Sequence, residues 1–299
     1  MSDLIRALDI IEYNSKKHRA ENVECAPQAN FYDHLAQTPE GDRDIPRVGA
    51  LYSFARFDTE LAGSGAAGTP PPEGTLFQGC GLSETVDPST SVTYAQSATF
   101  ATTAVDIDVY KGNAYMVSCN NAVGSFWAEF IPNAPVILHW DFAGTYAEPT
   151  SGSSGASLET KSTPVVAKGL AYTTVAGNTV VLKHAELHVE NTLTSPDEEV
   201  QDSLGVVNPD VVDMSIWFQF LIRAQNVATY NWINTLTSET KIPFSIVIGS
   251  SAGNICTVTL DGYIRDMIDF GESEGKHNFQ IQCQESKASG DNQLAIVYT

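Results

Sequence analysis

Basic residues are scarce in this sequence: 16 Lys and Arg stand against 36 Asp and Glu over 299 residues, a formal net charge of -20. That balance repels a polyanion, which excludes a protein whose task is to hold DNA or RNA directly. Cysteines are few and scattered. Cys25, Cys80, Cys119, Cys256 and Cys283 are odd in number and contain no C-x-x-C pair, which argues against a disulfide framework or a zinc ribbon. They read as small core residues of a protein made in a reducing cytosol. No segment approaches the roughly 20 apolar residues that span a bilayer, so no membrane insertion is expected. The first residues, MSDLIRALDIIEYNSKKHRA, have no basic region ahead of the apolar run and no small-residue cleavage site, so no secretion signal is expected either. G-x-S-x-G, P-loop and cysteine–histidine signatures are missing as well. The chain is therefore expected to carry no catalytic residues, no cofactor and no metal.

What the sequence has in quantity is strand periodicity, over a 42% hydrophobic content that can cover a proper core. Val105, Ile107 and Val109 alternate with Asp106, Asp108 and Tyr110, the two-residue period of a sheet with one wet face. Val212, Met214, Ile216, Phe218 and Phe220 alternate in the same way with Asp213, Ser215, Trp217 and Gln219. Similar runs cover Val136 to Phe142, Ile255 to Asp261, Asn278 to Gln284 and Gln293 to Tyr298. Gly, Pro, Asn and Ser punctuate them at hairpin-like intervals. Helical signals are short: Glu73 to Cys80, entered through three prolines and ended by Gly81, and Ala228 to Leu236. Leu4, Leu8 and Ile11 fit either a third helix or an extended arm.

The small-polar stretch Glu148 to Pro164 divides the chain. The order of elements repeats on either side of it. The acidic loop Gln37 to Asp44 matches Leu193 to Ser203 in position, and Leu82–Thr85 after the first helix matches Thr237–Thr240 after the second, at an offset of about 155 residues, roughly one domain length. The organisation expected is an N-terminal arm (1–20), a first module (21–148), a linker (149–164) and a second module (165–299).

Four constellations could carry chemistry. Gly63, Gly65 and Gly68 formally fit G-x-G-x-x-G, but Thr69-Pro-Pro-Pro72 prevents the helix that would hold a pyrophosphate, so a turn or a close subunit approach is the expected role. His184 and His188 would share a helix face, yet their flanks are strand-like, and four residues along a strand separate them by about 13 Å. They read as a solvated strand face. Asp106 and Asp108, and the loop acids Asp197, Glu198, Glu199 and Asp202, lack the paired environments of an acid/base couple and the spacing of a calcium loop. Trp127, Trp140, Trp217 and Trp232 are spread through predicted strands and a helix, so core packing is expected for them.

Between Arg47 and Thr150 the residues become specific. The strand Arg47 to Leu61 runs into Ala-Gly-Ser-Gly-Ala-Ala-Gly-Thr-Pro; after it come Gly79-Cys-Gly-Leu-Ser-Glu-Thr85, Ser91-Val-Thr-Tyr94 and Leu138-His-Trp-Asp-Phe-Ala-Gly-Thr-Tyr146. This pattern resembles the major tail tube proteins of siphophage-type bacteriophages. It covers about a third of the chain, with the C-terminal half matching by element order, and the N-terminal arm and the polar Asn120–Asn121 turn depart from it. The resemblance implies a mainly β fold, with tandem tail-tube modules built as a β-sandwich or half-barrel carrying one short helix each. Long strands of neighbouring modules would close an inner β-barrel on oligomerisation. It further implies a structural virion protein, made in the host cytoplasm, whose rings stack into a tube.

A duplicated chain would form a pseudo-sixfold ring from three copies, a hexamer being the alternative. The other partners implied are a tape measure, a tail terminator and a distal tail protein, with double-stranded DNA passing through unbound. On this reading Asp58, Glu60 and Asp213 are candidates for the bore. Glu40, Asp42, Asp44, Asp197, Glu198, Glu199 and Asp202 are candidates for ring-to-ring contacts with basic residues such as Arg43, Arg47, Lys183 or Arg223. Rival readings are another tail component such as a terminator, and a carbohydrate-binding β-sandwich of a phage particle.

Overall fold

The computed structural model describes residues 10–32, 47–96, 102–111, 115–152, 158–159, 172–175, 177–194, 208–224, 229–273, 276–285 and 294–299. In chain order the elements are β1 (Ile10–Tyr13), β2 (Lys16–Arg19), β3 (Glu21–Tyr32), β4 (Arg47–Glu60), α1 (Gly74–Gly79), β5 (Leu82–Asp87), β6 (Ser91–Gln96), β7 (Val105–Lys111), β8 (Tyr115–Phe130), β9 (Ile137–Tyr146), β10 (Tyr172–Val175), β11 (Asn178–Thr179), β12 (Leu182–Leu193), β13 (Val211–Arg223), α2 (Trp232–Thr237), β14 (Ile242–Ile248), β15 (Cys256–Ser273), β16 (Lys276–Glu285) and β17 (Leu294–Tyr298). The fold is mainly β and antiparallel, with two short helices, as the alternation of the sequence led one to expect.

Eight long strands form one sheet in the order β3-β4-β9-β8-β12-β13-β16-β15. Against its buried face pack two further sets, β11-β10-β14-β15-β17-β6-β5 and β2-β1-β7-β8, which share one core with it. Strands β8 and β15 belong to two layers each because both bend at bulges. In β8 the register shifts between Asn120 and Val123, where Asn121 takes φ 49°. Asn tolerates that left-handed conformation better than most residues, and the extra residue kinks the strand without ending it. The Asn120–Asn121 turn expected from the sequence is thus a bulge inside a 16-residue strand.

The pairing scheme occurs twice. The pairs β1–β2, β1–β7, β3–β4, β4–β9, β7–β8 and β8–β9 have counterparts in β10–β11, β10–β14, β12–β13, β13–β16, β14–β15 and β15–β16. One short helix follows the second long strand in each set. The hairpin β5–β6 and the strand β17 stand outside the scheme, and they pair with each other.

Both sets share one hydrophobic core. Phe130 of β8 reaches Phe218 of β13, and Phe218 meets Phe244 of β14 with ring centroids 4.0 Å apart. Helix α1 is only six residues long and has no side-chain N-cap, so tertiary contact must hold it. Its Phe77 lies against Tyr94, Phe126 and Trp140 at 5.1, 5.2 and 5.3 Å. Helix α2 begins at Asn231, whose side chain accepts from the Asn234 N–H. All five cysteines are buried and free; burial pushes the Cys256 and Cys283 thiols up to about 12. Ile11 and Tyr13 belong to the core from strand β1, so this part of the N-terminus is a hairpin packed on β7, while Leu4 and Leu8 lie outside the described residues.

Candidate functional site

The eight-stranded sheet buries one face and leaves the other open, because its strands alternate. On β4, Ala55, Phe57 and Thr59 are buried, whereas Arg56, Asp58 and Glu60 face outward. On β12, Ala185, Leu187 and Val189 are buried, whereas His184, Glu186, His188 and Glu190 face outward. The open face is therefore a polar surface of defined register, crossing both halves of the chain.

One row of that register is unusual. Asp58 lies opposite His139, His139 opposite Trp127, Trp127 opposite His188, His188 opposite Trp217, and Trp217 opposite Gln284, which faces Tyr263. Side chains directly opposite on neighbouring strands stand about 5 Å apart, so planar rings in one row stack. His139 and Trp127 have centroids 3.7 Å apart, Trp127 and His188 5.5 Å, and His188 and Trp217 3.6 Å, with interplanar angles of 11°, 5° and 9°. At the end of the stack, His139 Nδ1 lies 2.6 Å from Asp58 Oδ1, and Asn22 Nδ2 donates to Asp58 Oδ2 at 2.5 Å. Beside the row, Arg56 pairs with Asp141 at 3.0 Å, an exposed pair that contributes little stability. A shallow depression of about 340 Å³ lies here, lined by Asn22, Arg56, Asp58, Trp127, His139 and His188 among others.

The next row is carboxylate and amide apart from Ile137: Glu60, Ile137, Glu129, Glu186, Gln219, Gln282 and Asp266, each opposite the next. Glu129 and Glu186 are direct neighbours across the β8–β12 seam. His184 Nε2 sits 3.1 Å from Glu129 Oε1 and 3.7 Å from Glu186 Oε1, while His188 Nε2 lies 3.1 Å from Glu186 Oε2. Burial holds the His188 imidazolium below its ordinary pKa, against the opposing pull of Glu186 and Glu190, which favours the neutral ring in the stack.

The bore candidates Asp58 and Glu60 lie on the open face, and Asp213 is exposed on β13 with the same parity as Ser215 and Trp217. Gly63, Gly65 and Gly68 form the turn after β4. The close approach they permit is internal: Gly65 N–H donates to Gly253 O at 3.2 Å, and a Cβ on Gly63 would stand 2.0 Å from that same oxygen. Gly68 has φ +69°, and the run Thr69–Pro72 precedes a helix of six residues, so no phosphate-binding loop is built there. The acids Glu40, Asp42, Asp44, Asp197, Glu198, Glu199 and Asp202, with Arg43, lie outside the described residues. Arg47 begins β4, Lys183 lies in β12 and Arg223 ends β13. Asp106 and Asp108 are no isolated acid pair. Asp106 accepts from the Asn121 N–H, and Asp108, its pKa raised by burial, accepts from Ser118.

The expectation that all four tryptophans are core residues needs correction. Trp140 and Trp232 are buried, but Trp127 and Trp217 stand on the open face, where the alternation within their strands puts them. Trp127 has an imidazole over each face, and Trp217 has one over one face with Gln284 opposite it on the next strand, so Trp127 offers no free ring face to a sugar. The pair His184 and His188 does lie on one strand face as expected, but His184 has a partner that spacing along the chain does not reveal, Glu129 from β8. In comparisons with known proteins, no family model matches the chain and no curated protein matches it. No helix among the described residues is long and apolar enough to cross a membrane.

Proposed function

We propose that the chain is the structural subunit of a phage tail tube, built as two tandem modules and assembled by joining the edges of its eight-stranded sheet. The observation that carries this reading is the internal seam. The two four-stranded sets, β3-β4-β9-β8 and β12-β13-β16-β15, are joined by antiparallel pairing of β8 with β12. By the repeated scheme, β15 corresponds to β8 and β3 to β12. Among the described residues, β3 pairs only with β4, and the part of β15 beyond Tyr263 pairs only with β16. These two edges are therefore the same kind of edges that already meet inside the chain, so a second copy can repeat the seam between molecules. Unpaired edges this long are otherwise aggregation hazards. Ile268, on that part of β15, is 50% exposed, and Tyr263, just before it, is 37% exposed.

Three copies joined in this way close a cylinder of about 24 strands, on the order of 50 Å across at the backbone for strands about 4.8 Å apart tilted by about 40°. Six copies would double that width, which makes the trimer with pseudo-sixfold symmetry the reading and the hexamer its alternative. The buried face packs the modules, so the open face lines the bore. Its carboxylates repel phosphates over roughly a Debye length of 8 to 10 Å, and Arg56 on the same face is already paired with Asp141, which suits a conduit that DNA must cross without binding. The residues that resemble tail tube proteins fall on β4 and its turn, α1, β5, β6 and β9, and include the buried Cys80, Leu82 and Tyr94. They are framework residues, consistent with a virion protein that acts by its shape and with no enzymatic role. Stacked rings would meet a tape measure inside the tube and a tail terminator and a distal tail protein at its ends.

The bore assignment has a direct test. Glu60→Lys with Asp213→Lys reverses two exposed charges and leaves the Asp58–His139 contact intact. Particles carrying both are expected to assemble tubes of normal length and to eject DNA several-fold more slowly. Unchanged ejection kinetics would remove these residues from the bore.

A further inference from the structure

We propose that Glu129, His184 and Glu186 form a binding site for one divalent transition-metal ion, zinc being the closest match, at the seam where β8 meets β12. Residues two apart on a strand face the same way, and a residue opposite on the next strand completes a three-sided ligand set. His184 and Glu186 are such a pair, and Glu129 is directly opposite Glu186. One ligand atom from each of the three lies within 4.8 Å of the others. A tetrahedral ion with bonds of about 2.0 to 2.1 Å needs its ligand atoms roughly 3.3 Å apart. The separations of 3.1 Å from His184 Nε2 to Glu129 and 3.7 Å to Glu186 bracket that value. One imidazole nitrogen with two carboxylates and room for water fits zinc and its neighbours rather than calcium, which takes six to eight oxygens.

Two further features point to a cation. Like charges placed directly opposite across a ladder are destabilising, and Glu129 faces Glu186 in that relation. An ion between them converts the repulsion into a bond across the seam. Glu186 is also already oriented: His188, held between Trp127 and Trp217, fixes its Oε2 at 3.1 Å and leaves Oε1 toward His184. Metal-ligating carboxylates are commonly positioned by such outer partners. The ion would staple the first half of the sheet to the second within one chain.

The test uses the full chain, stripped with a chelator and titrated with zinc by calorimetry and with cobalt(II) by visible absorption. One equivalent per chain, the absorption bands of four-coordinate cobalt, and a saturable rise in melting temperature are expected. His184→Asn and Glu129→Gln should each weaken binding at least tenfold. Metal-free Glu129→Gln still offers His184 an oxygen in place of the 3.1 Å carboxylate contact and should stay folded, but its melting temperature should gain nothing from zinc; a rise with zinc equal to that of the wild type would show that Glu129 is not a ligand. Absence of saturable binding, or binding by His184→Asn as tight as by the wild type, would overturn the site.

Discussion

Replacing Ile268 with lysine is expected to stop ring formation while leaving a folded monomer. Ile268 is half exposed on the part of β15 that pairs only with β16 among the described residues, so a charge there costs the isolated chain little. In a ring it would lie beside the β3 of the next copy, where lysine on a strand edge is a familiar obstacle to pairing. Val23→Lys attacks the other edge. Val23 packs against the core from β3, inside the register shift between Glu21 and Glu24, so its replacement disturbs few ladder bonds. Either change should raise the concentration needed for assembly at least tenfold, about 1.4 kcal/mol per joint. Sedimentation gives the oligomeric state and circular dichroism the fold. Rings at wild-type concentration from both variants, with the monomers folded, would show that these edges are not the joints.

Phe77→Ala is expected to destabilise the chain by about 3–5 kcal/mol, the usual loss for truncating a fully buried phenylalanine. The cost has a local reason. Phe77 is fully buried, and a six-residue helix has too few hydrogen bonds to stand without packing. Its ring joins Tyr94 of β6, Phe126 of β8 and Trp140 of β9, and Trp140 is itself fixed by donating from Nε1 to Thr59 Oγ1 at 2.9 Å. One truncation therefore opens a cavity bordered by the helix and by strands of two layers. Urea unfolding measures it. A loss under about 1 kcal/mol would mean that the site collapses freely and that α1 does not clamp the layers together.

The strands were legible where one face is buried and the other wet. Val105 to Val109 and Met214 to Phe220 alternate because each inward side chain is flanked by outward ones, and both lie in strands, β7 and β13, although Tyr110, read as outward, is buried and Val212, read as inward, is exposed. Bulges were not legible. Asn121 accepts a left-handed φ inside β8, and from sequence alone that looks like a turn. The hairpin of β1 and β2 turns on Asn14 and Ser15, with φ 51° and 57°, a two-residue turn of the kind that favours hairpins; the apolar spacing of Leu4, Leu8 and Ile11 concealed it.

The candidate site was readable in part. Trp217 alternates with Phe218 on the wet side of its own strand, between Ser215 and Gln219, and Trp127 has the same relation to Ser125 and Glu129, so parity already placed both outside the core. Composition favoured burial for an aromatic, and the row of stacked rings that keeps them outside depends on partners from four strands. The same limit applies to Glu129 and His184, which are 55 residues apart. Only strand order and register bring them together, and neither is written in local spacing.

The repeated pairing scheme and the two matching edges lead to one number, the count of chains in a closed ring. Purified rings weighed by native mass spectrometry, or tubes averaged by electron microscopy, report it directly. Three chains per ring are expected, with twofold-repeated density in each chain giving pseudo-sixfold symmetry. Six chains per ring, or a protein that stays monomeric at high concentration and is missing from mature particles, would contradict that expectation.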